Sequence, residues 1–241
     1  MIRAENLTKY YGNIRAVEDL TMEVPDGTIL GFLGPNGAGK TTTMRMLTGY
    51  TTPTRGRALI EGIDIQREPL KAKRLIGYLP EVPPLYPELK VSSFLDFVAE
   101  VKGLRGKKKK EEIDRVISQA GLEKVAHRRI RNLSKGYRQR VGIAQAILAE
   151  PRVLILDEPT IGLDPKEILE IRSLIKSLGG QRTVILSTHI LQEVTSICDS
   201  IAIINEGRLI EFGKIKEVEE KYGSTSLEEV YISAISRGGE A

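Results

Sequence analysis

The first 27 residues carry apolar positions at period 2, with Leu20, Met22 and Val24 alternating against polar neighbours. That spacing reads as β structure, and Asp26-Gly27 supplies a turn after it. A continuous apolar run over 28–33 predicts a buried strand, followed by a Gly-rich loop and a helix through TTTMRMLTG that closes at Gly49. Residues 57–60 and 63–65 flank Glu61-Gly62 and predict a short hairpin. Residues 76–80, IGYLP, read as a further buried strand running into the Pro-rich stretch PEVPPLYPELKV.

From 92 to 148 the period changes to that of helices. Phe94, Val98 and Val101 share one face, with Ser92 or Ser93 as the expected cap and Gly103 as the stop. Ile113, Val116, Ile117 and Ala120 mark a second helix ending at Gly121. A third is expected over 135–149, with Val141, Ala144 and Leu148 on one stripe. Strands return at 153–156, 183–187 and 201–204, the first two separated by a helix with Ile168, Ile171, Ile175 and Leu178 on one side. Alternating strands and helices argue for an α/β core with a mostly parallel sheet, interrupted by a helical insert of about 60 residues. Residues 227–235 are expected to form an amphipathic helix docking on the core, and Arg237 onward to fray.

Composition narrows the class. An apolar fraction of 41% and a charged fraction of 28% over 241 residues are those of a folded globular chain. No run approaches the roughly 18 apolar residues of a membrane span, and the first residues lack the apolar core of a secretory signal. One cysteine, Cys198, excludes an intrachain disulfide and fits a reducing compartment. The net charge of +4 is too balanced for a dedicated nucleic-acid binder. Between residues 102 and 140, however, 14 Lys or Arg stand against 4 Asp or Glu. The run 107–110, followed by Glu111 and Glu112, reads as a solvated helical face, with anionic lipid headgroups as the alternative.

Two segments carry chemistry. Residues 34–41 read GPNGAGKT, a full match to G-x-x-x-x-G-K-[ST] between a strand and a helix. In such a loop the backbone N–H groups of Gly34, Pro35-Asn36, Gly37, Ala38, Gly39 and Lys40 surround a phosphate, proline excepted, and the helix adds its positive end. Lys40 would reach the β- and γ-phosphates, the Thr41 hydroxyl would ligate Mg²⁺, and Thr42 extends the cradle. The second segment, VLILDEPT, ends a strand in Asp157 and Glu158, at the sheet edge where α/β proteins bind ligands. Asp157 would hold Mg²⁺ through a water and Glu158 would act as general base towards the attacking water. Guanine readout through N-K-x-D is absent from the sequence, which sets GTPase switches aside.

The string LSKGYRQR at 133–140, some twenty residues ahead of LILDEP, resembles the signature of the ATP-binding cassette (ABC) proteins, LSGGQ-x-x-R. The phosphate loop, LILDEP, the run Gly162, Leu163, Asp164, and His189 in STHI stand in that family's order, and the resemblance spans residues 2–213. It implies a P-loop NTPase (RecA-like) core with an antiparallel β subdomain and a helical insert. One cassette would cover 1–218 (core 1–88 and 150–218, helical subdomain about 89–149), with a tail over 219–241 holding one short helix. It also implies Tyr11 stacked on adenine and His189 sensing the γ-phosphate. Ser134, Lys135, Gly136 and Tyr137 would close on the nucleotide of an opposite cassette, and Gly162, Leu163 and Asp164 would lie at the dimer contact. One phosphate loop and one signature then require a homodimer or pairing with a similar cassette.

Three positions depart from the family's pattern. Glu81 stands where Gln is usual and still offers oxygen to Mg²⁺; Lys135 replaces a Gly and Tyr137 replaces the Gln. The stretch GYLPE-x-x-PLY and LSKG resemble the ATPase subunits of type-2 exporters of the multidrug-efflux or gliding-motility kind. The expectation is therefore an ATP-hydrolysing motor with ATP and Mg²⁺ as cofactors. It would be cytoplasmic and peripheral at the cell membrane through a separate polytopic permease, without nucleic acid. The alternative is a soluble cassette ATPase of cofactor assembly, translation or DNA maintenance.

Overall fold

A computed structural model describes residues 1–238. In chain order the elements begin with β1 (Ile2–Tyr11), β2 (Ile14–Val24), β3 (Ile29–Leu33), α1 (Lys40–Leu47), β4 (Arg55–Ile60), β5 (Ile63–Asp64), α2 (Pro69–Arg74) and β6 (Ile76–Leu79). Then come α3 (Val91–Val101), α4 (Gly106–Gln119), α5 (Lys135–Ile147), β7 (Val153–Asp157), α6 (Pro165–Leu178), β8 (Thr183–Thr188) and α7 (Leu191–Ile197). The chain closes with β9 (Ser200–Asn205), β10 (Arg208–Lys214), α8 (Ile215–Tyr222) and α9 (Leu227–Gly238).

The first sheet is antiparallel, in the order β2-β1-β4-β5. Glu61 and Gly62 both have positive φ, 50° and 76°, as a two-residue hairpin turn with the sheet's own twist demands. The second sheet has the order β10-β9-β3-β8-β7-β6 and is parallel from β9 to β6, with β10 antiparallel at its edge.

Strand β7 shows why its sequence is an unbroken apolar run. Val153 and Ile155 enter the core shared with β1, β2 and α1, while Leu154 and Leu156 enter the core shared with α5, α6 and the helical insert. A parallel strand covered on both faces has no polar side to show. The helices α3, α4 and α5 bring Phe94, Leu95, Val116, Val141 and Ala144 into that second core.

Several expectations need correction. Helix α3 starts at Val91, so Ser92 and Ser93 lie inside it and cap nothing. Its first N–H groups are satisfied by the neighbouring loop: Val91 donates to the Arg128 carbonyl at 3.1 Å and Ser92 to that of Ala126 at 2.9 Å. Val101, expected on the buried face, is 72% exposed. Helix α5 stops at Ile147, and Ala149 and Glu150 turn the chain with φ of 64° and 49°. The Lys102 ammonium closes that helix end, donating to the carbonyls of Gln145, Ala146 and Leu148 at 3.0, 3.2 and 2.8 Å. Burial lowers its pKa to about 8, with the Glu112 charge working against the shift.

The expected boundary at 218/219 falls inside α8, and α9 follows it rather than standing alone. Val218, Leu227, Val230 and Ala234 pack with Leu33, Val194, Ile201 and Ile203 in one cluster. Against the fraying expected from Arg237 onward, residues 237–238 belong to α9, and residues 239–241 lie outside the described residues. Elements α2, α7, α8 and β10 had no expectation.

The two-sided burial of β7 predicts a sharp contrast. Ile155→Ala should cost about 2–5 kcal/mol in urea unfolding. Ile14→Ala, on a side chain 71% exposed, should stay within about 0.5 kcal/mol of the parent.

Candidate functional site

Strand β3 ends at Leu33, and the chain passes through 34–39 directly into α1. Two glycines make that turn possible. Gly39 has φ 101°, and a Cβ there would stand 2.5 Å from the Ala16 carbonyl oxygen. A Cβ on Gly34 would stand 2.3 Å from the Ile204 carbonyl oxygen. No side chain caps α1, so its leading N–H groups face the loop as an anion-binding end.

Lys40 is buried beneath this loop. Its ammonium donates to the Gly34 and Pro35 carbonyls at 2.8 and 3.2 Å and lies 3.3 Å from Glu158 Oε1. Glu158 follows β7 with φ 48°, a left-handed conformation that costs a side-chain-bearing residue energy. Its N–H is held by the Ser187 carbonyl at 3.1 Å and the Ser187 hydroxyl at 3.2 Å. The strained backbone aims the carboxylate so that Oε2 meets His189 Nδ1 at 2.9 Å. Lys40, Glu158 and His189 thus form one continuous polar chain across the ends of α1, β7 and β8.

Asp157, the last residue of β7, is fully buried. Its Oδ1 accepts from the Ser187 hydroxyl, while Oδ2 has no hydrogen-bond partner among the described residues. Beside it, burial raises the Tyr78 phenol pKa to about 12, and the Asp157 charge adds to that. A cleft of about 360 Å³ opens here, lined by Asn36, Gly37, Gly39, Lys40, Thr41, Thr42, Glu81, Glu158 and Ile161. Eight of the residues singled out in the sequence therefore share one cavity. Pro35 and Ala38 complete the loop behind it, Ala38 N–H donating to the Pro35 carbonyl at 3.2 Å.

The remaining candidates lie outside the cleft lining. Tyr11 ends β1, 45% exposed, with the Lys9 ammonium 5.1 Å from its ring centroid. Ser134 caps α5, its hydroxyl accepting from the Tyr137 N–H at 3.3 Å and donating to Glu167 Oε1 at 3.1 Å. Gly136 packs on the Glu167 carboxylate, which a Cβ would meet at 2.3 Å. Tyr137 is half-buried against the helical core, as is Leu163. Asp164 caps α6 by accepting from the Glu167 N–H at 2.8 Å, and the Lys135 ammonium lies against Gly162.

Ser187 was not foreseen, although it holds both Asp157 and Glu158. The signal lay in register: β7 and β8 pair Val153 with Thr183 and so bring Asp157 opposite Ser187. Glu167 and Ile161 were missed as well, since neither belongs to a motif.

Residues 17–161 match the ABC transporter family. The bacitracin transport ATP-binding protein BcrA of Bacillus licheniformis is 42% identical over 227 residues, covering 92% of this chain and 73% of that protein. A solved structure of an ATP binding subunit of an ABC transporter superposes with a TM-score of 0.88 at 31% identity, covering 98% of this chain and 99% of that one. The dimeric post-hydrolysis state of the ATP-binding cassette MJ0796, bound to ADP and Pi, superposes with a TM-score of 0.79 at 26% identity, covering 89% and 99% of the two chains. The match over more than half of the chain and these relatives agree with the phosphate loop and the acid pair at the sheet edge, and the chain belongs to the ABC transporter family as an ATP-binding, ATP-hydrolysing cassette.

Proposed function

We propose that this cassette is the motor of an exporter, with the reaction centred on the polar chain from Lys40 through Glu158 to His189. The observation that carries the reading is Glu158 itself, a buried carboxylate held at φ 48° between a lysine and a histidine. The loop from Gly34 to Thr42 receives the phosphates of ATP on its N–H groups, and Lys40 turns its ammonium to the β- and γ-phosphates. Glu158 accepts a proton from water as the water oxygen bonds to the γ-phosphorus and the bond to the bridging oxygen of ADP breaks. His189 holds the Glu158 carboxylate and contacts the γ-phosphate. Tyr11 stacks on the adenine.

The donor set suits Mg²⁺. Asp157 Oδ2 is buried with no hydrogen-bond partner among the described residues, and Thr41 and Glu81 line the adjoining cleft. Among the described residues no cluster of three carboxylate, histidine or cysteine groups is assembled for a metal. That fits an ion which binds one or two carboxylates together with phosphates. Thr41, Asp157 (through a water) and Glu81 would hold it, and it would neutralise phosphate charge.

A second cassette completes the site, either another copy or a similar chain. Its Ser134, Lys135, Gly136 and Tyr137 cover the nucleotide, and Gly162, Leu163 and Asp164 lie where the two cassettes meet. The dimeric form of the MJ0796 cassette supports this. Among the described residues no helix is long and apolar enough to cross a membrane. The relatives named as transport and export ATP-binding proteins support a polytopic permease partner, with the cassette at its cytoplasmic face. The Pro-rich stretch 79–91 joins β6 to α3 and is the segment that would push on that partner. Export is supported by relatives named for bacitracin transport and for Nod factor export, the latter from Cupriavidus metallidurans and 36% identical over 232 residues. Turnover survives the departures at Glu81, Lys135 and Tyr137.

Glu158→Gln should lower ATP hydrolysis by roughly 100-fold or more while keeping ATP bound. An ATP-dependent dimer should then accumulate in size-exclusion chromatography, and near-normal turnover would remove Glu158 from the role of base. Tyr11→Ala should raise the dissociation constants of ATP and GTP alike, by about tenfold, because stacking reads a ring face and no base edge; unchanged binding excludes the stack. The tagged Glu158→Gln chain, purified from detergent-solubilised membranes with ATP and Mg²⁺, should bring down a stoichiometric polytopic membrane protein. Recovery with ribosomal, DNA or assembly proteins from the soluble fraction overturns the exporter reading.

A further inference from the structure

Strands β7 and β8 are held together by their ladder only as far as Asp157 and Ser187. Glu158 and His189 follow the last paired residues, the Glu158 N–H still held by the Ser187 carbonyl at 3.1 Å, and lead on to α6 and α7 respectively. Those bonds fix the Glu158 backbone, but the side-chain contact with His189 at 2.9 Å also depends on where the His189 segment sits. The next side-chain hydrogen bond between those segments runs from the Thr160 hydroxyl to Glu193 Oε1.

Both partners are deeply buried, Glu193 fully so. Thr160 sits in the turn that follows Glu158, where Ile161 N–H donates to the Glu158 carbonyl and Leu163 N–H to the Thr160 carbonyl, each at 3.2 Å. Glu193 sits in the first turn of α7, its N–H on the Ile190 carbonyl at 3.1 Å. Ile190 N–H in turn donates to the Thr188 hydroxyl at 3.0 Å, so His189 is bracketed on both sides. Val194 and Ile197 anchor α7 in the hydrophobic cores.

The carboxylate is sparingly paired. Arg172 on α6 brings its Nη2 to 3.8 Å from Oε1, and Glu193 Oε2 and Arg172 Nε have no hydrogen-bond partner among the described residues. An apolar side chain at 193 would bury without the desolvation cost of a carboxylate. A carboxylate with a single hydroxyl donor instead specifies one register of α7 against the turn carrying Glu158, and Arg172 supplies the counter-charge.

We propose that Glu193 is a positioning residue, which through Thr160 sets His189 against Glu158 and so aligns the base for attack on ATP. The proposal rests on the catalytic reading of Glu158 given above. It places no new group on the nucleotide; it assigns the alignment of those proposed above to a buried bond between α7 and the Glu158 turn.

Steady-state ATP hydrolysis by the full chain tests it with Thr160→Val, of the same shape without the hydroxyl. We expect kcat to fall about tenfold or more with KM for ATP within about twofold, and Thr160→Ser to recover activity to within about threefold. In a His189→Ala background, where the aligned contact is already gone, Thr160→Val should cost less than about twofold more. A general loss of packing would instead add in full. Glu193→Gln keeps the shape but drops the charge that strengthens the Thr160 bond, and should lose about threefold or more in kcat at unchanged KM. That variant carries the test if Thr160→Val does not fold.

Parent-like kcat in these variants overturns the inference. So does a loss shared equally by KM, unrestored by serine, or undiminished in the His189→Ala background. Glu158→Gln measured alongside separates the two levels. If it is inactive while Thr160→Val is normal, only this inference falls; if it hydrolyses ATP normally, the catalytic reading falls and takes this one with it.

Discussion

The parallel ladder β3-β8-β7 is the constraint on which the rest of the site depends. Three strands running the same way end at one edge, and their registers bring Leu33 beside Thr188 and Asp157 beside Ser187. Whatever follows each strand must then meet in the same place: the glycine loop after β3, Glu158 after β7, His189 after β8. The strands hold this alignment because both faces are dry. A one-residue slip would swap Val153 and Ile155 with Leu154 and Leu156 between two cores packed for the other pair. Register is thus enforced by hydrophobic burial far from the polar groups it positions.

At the edge itself the logic reverses, and stability gives way to placement. Lys40 is buried against carbonyl oxygens and a carboxylate, and Glu158 adopts a conformation that few side chains take up. Ser187 bears much of that burden, since its carbonyl and hydroxyl both receive the Glu158 N–H while the hydroxyl also donates to Asp157. One serine on β8 thereby orders two adjacent acids on β7. The Asp157 oxygen that has no hydrogen-bond partner among the described residues is the feature the local hydrogen bonding leaves open, and it is explained in the proposed reading by a cation brought with the nucleotide.

Legibility followed burial and backbone demand. The central strands were readable because a strand covered on both faces must be apolar throughout, and the phosphate loop because its glycines are imposed by contacts such as Gly39 against Ala16. What escaped was peripheral. Helix α2 buries only Ala72, so it has no stripe to read. Strand β10 lies at an edge and buries Glu211, which is paired with Lys221 at 2.6 Å, in place of an apolar residue. Ser92 and Ser93 looked like caps because their residue type suits one, yet a loop more than thirty residues later supplies the acceptors. Ser187, Glu167 and Glu193 were invisible for the same reason, since their partners are chosen by tertiary register and no local spacing announces them.

The placement of the signature segment bears on how one cassette could do mechanical work. Ser134 and Gly136 are tied to Glu167, whose own N–H is tied to Asp164, and Lys135 lies against Gly162. The segment that begins α5 and the segment that begins α6 are therefore joined side by side. In the proposed reading both face the partner cassette, so they would advance on its nucleotide together. The phosphate loop, by contrast, is anchored through α1 on the other face of the sheet. In that reading, nucleotide held by one cassette draws in the other by moving α5 and α6 as a block, and α5 is packed against α3 and α4. The Pro-rich stretch enters that same helical block at α3, so in the proposed reading it is the mechanical outlet of the closure.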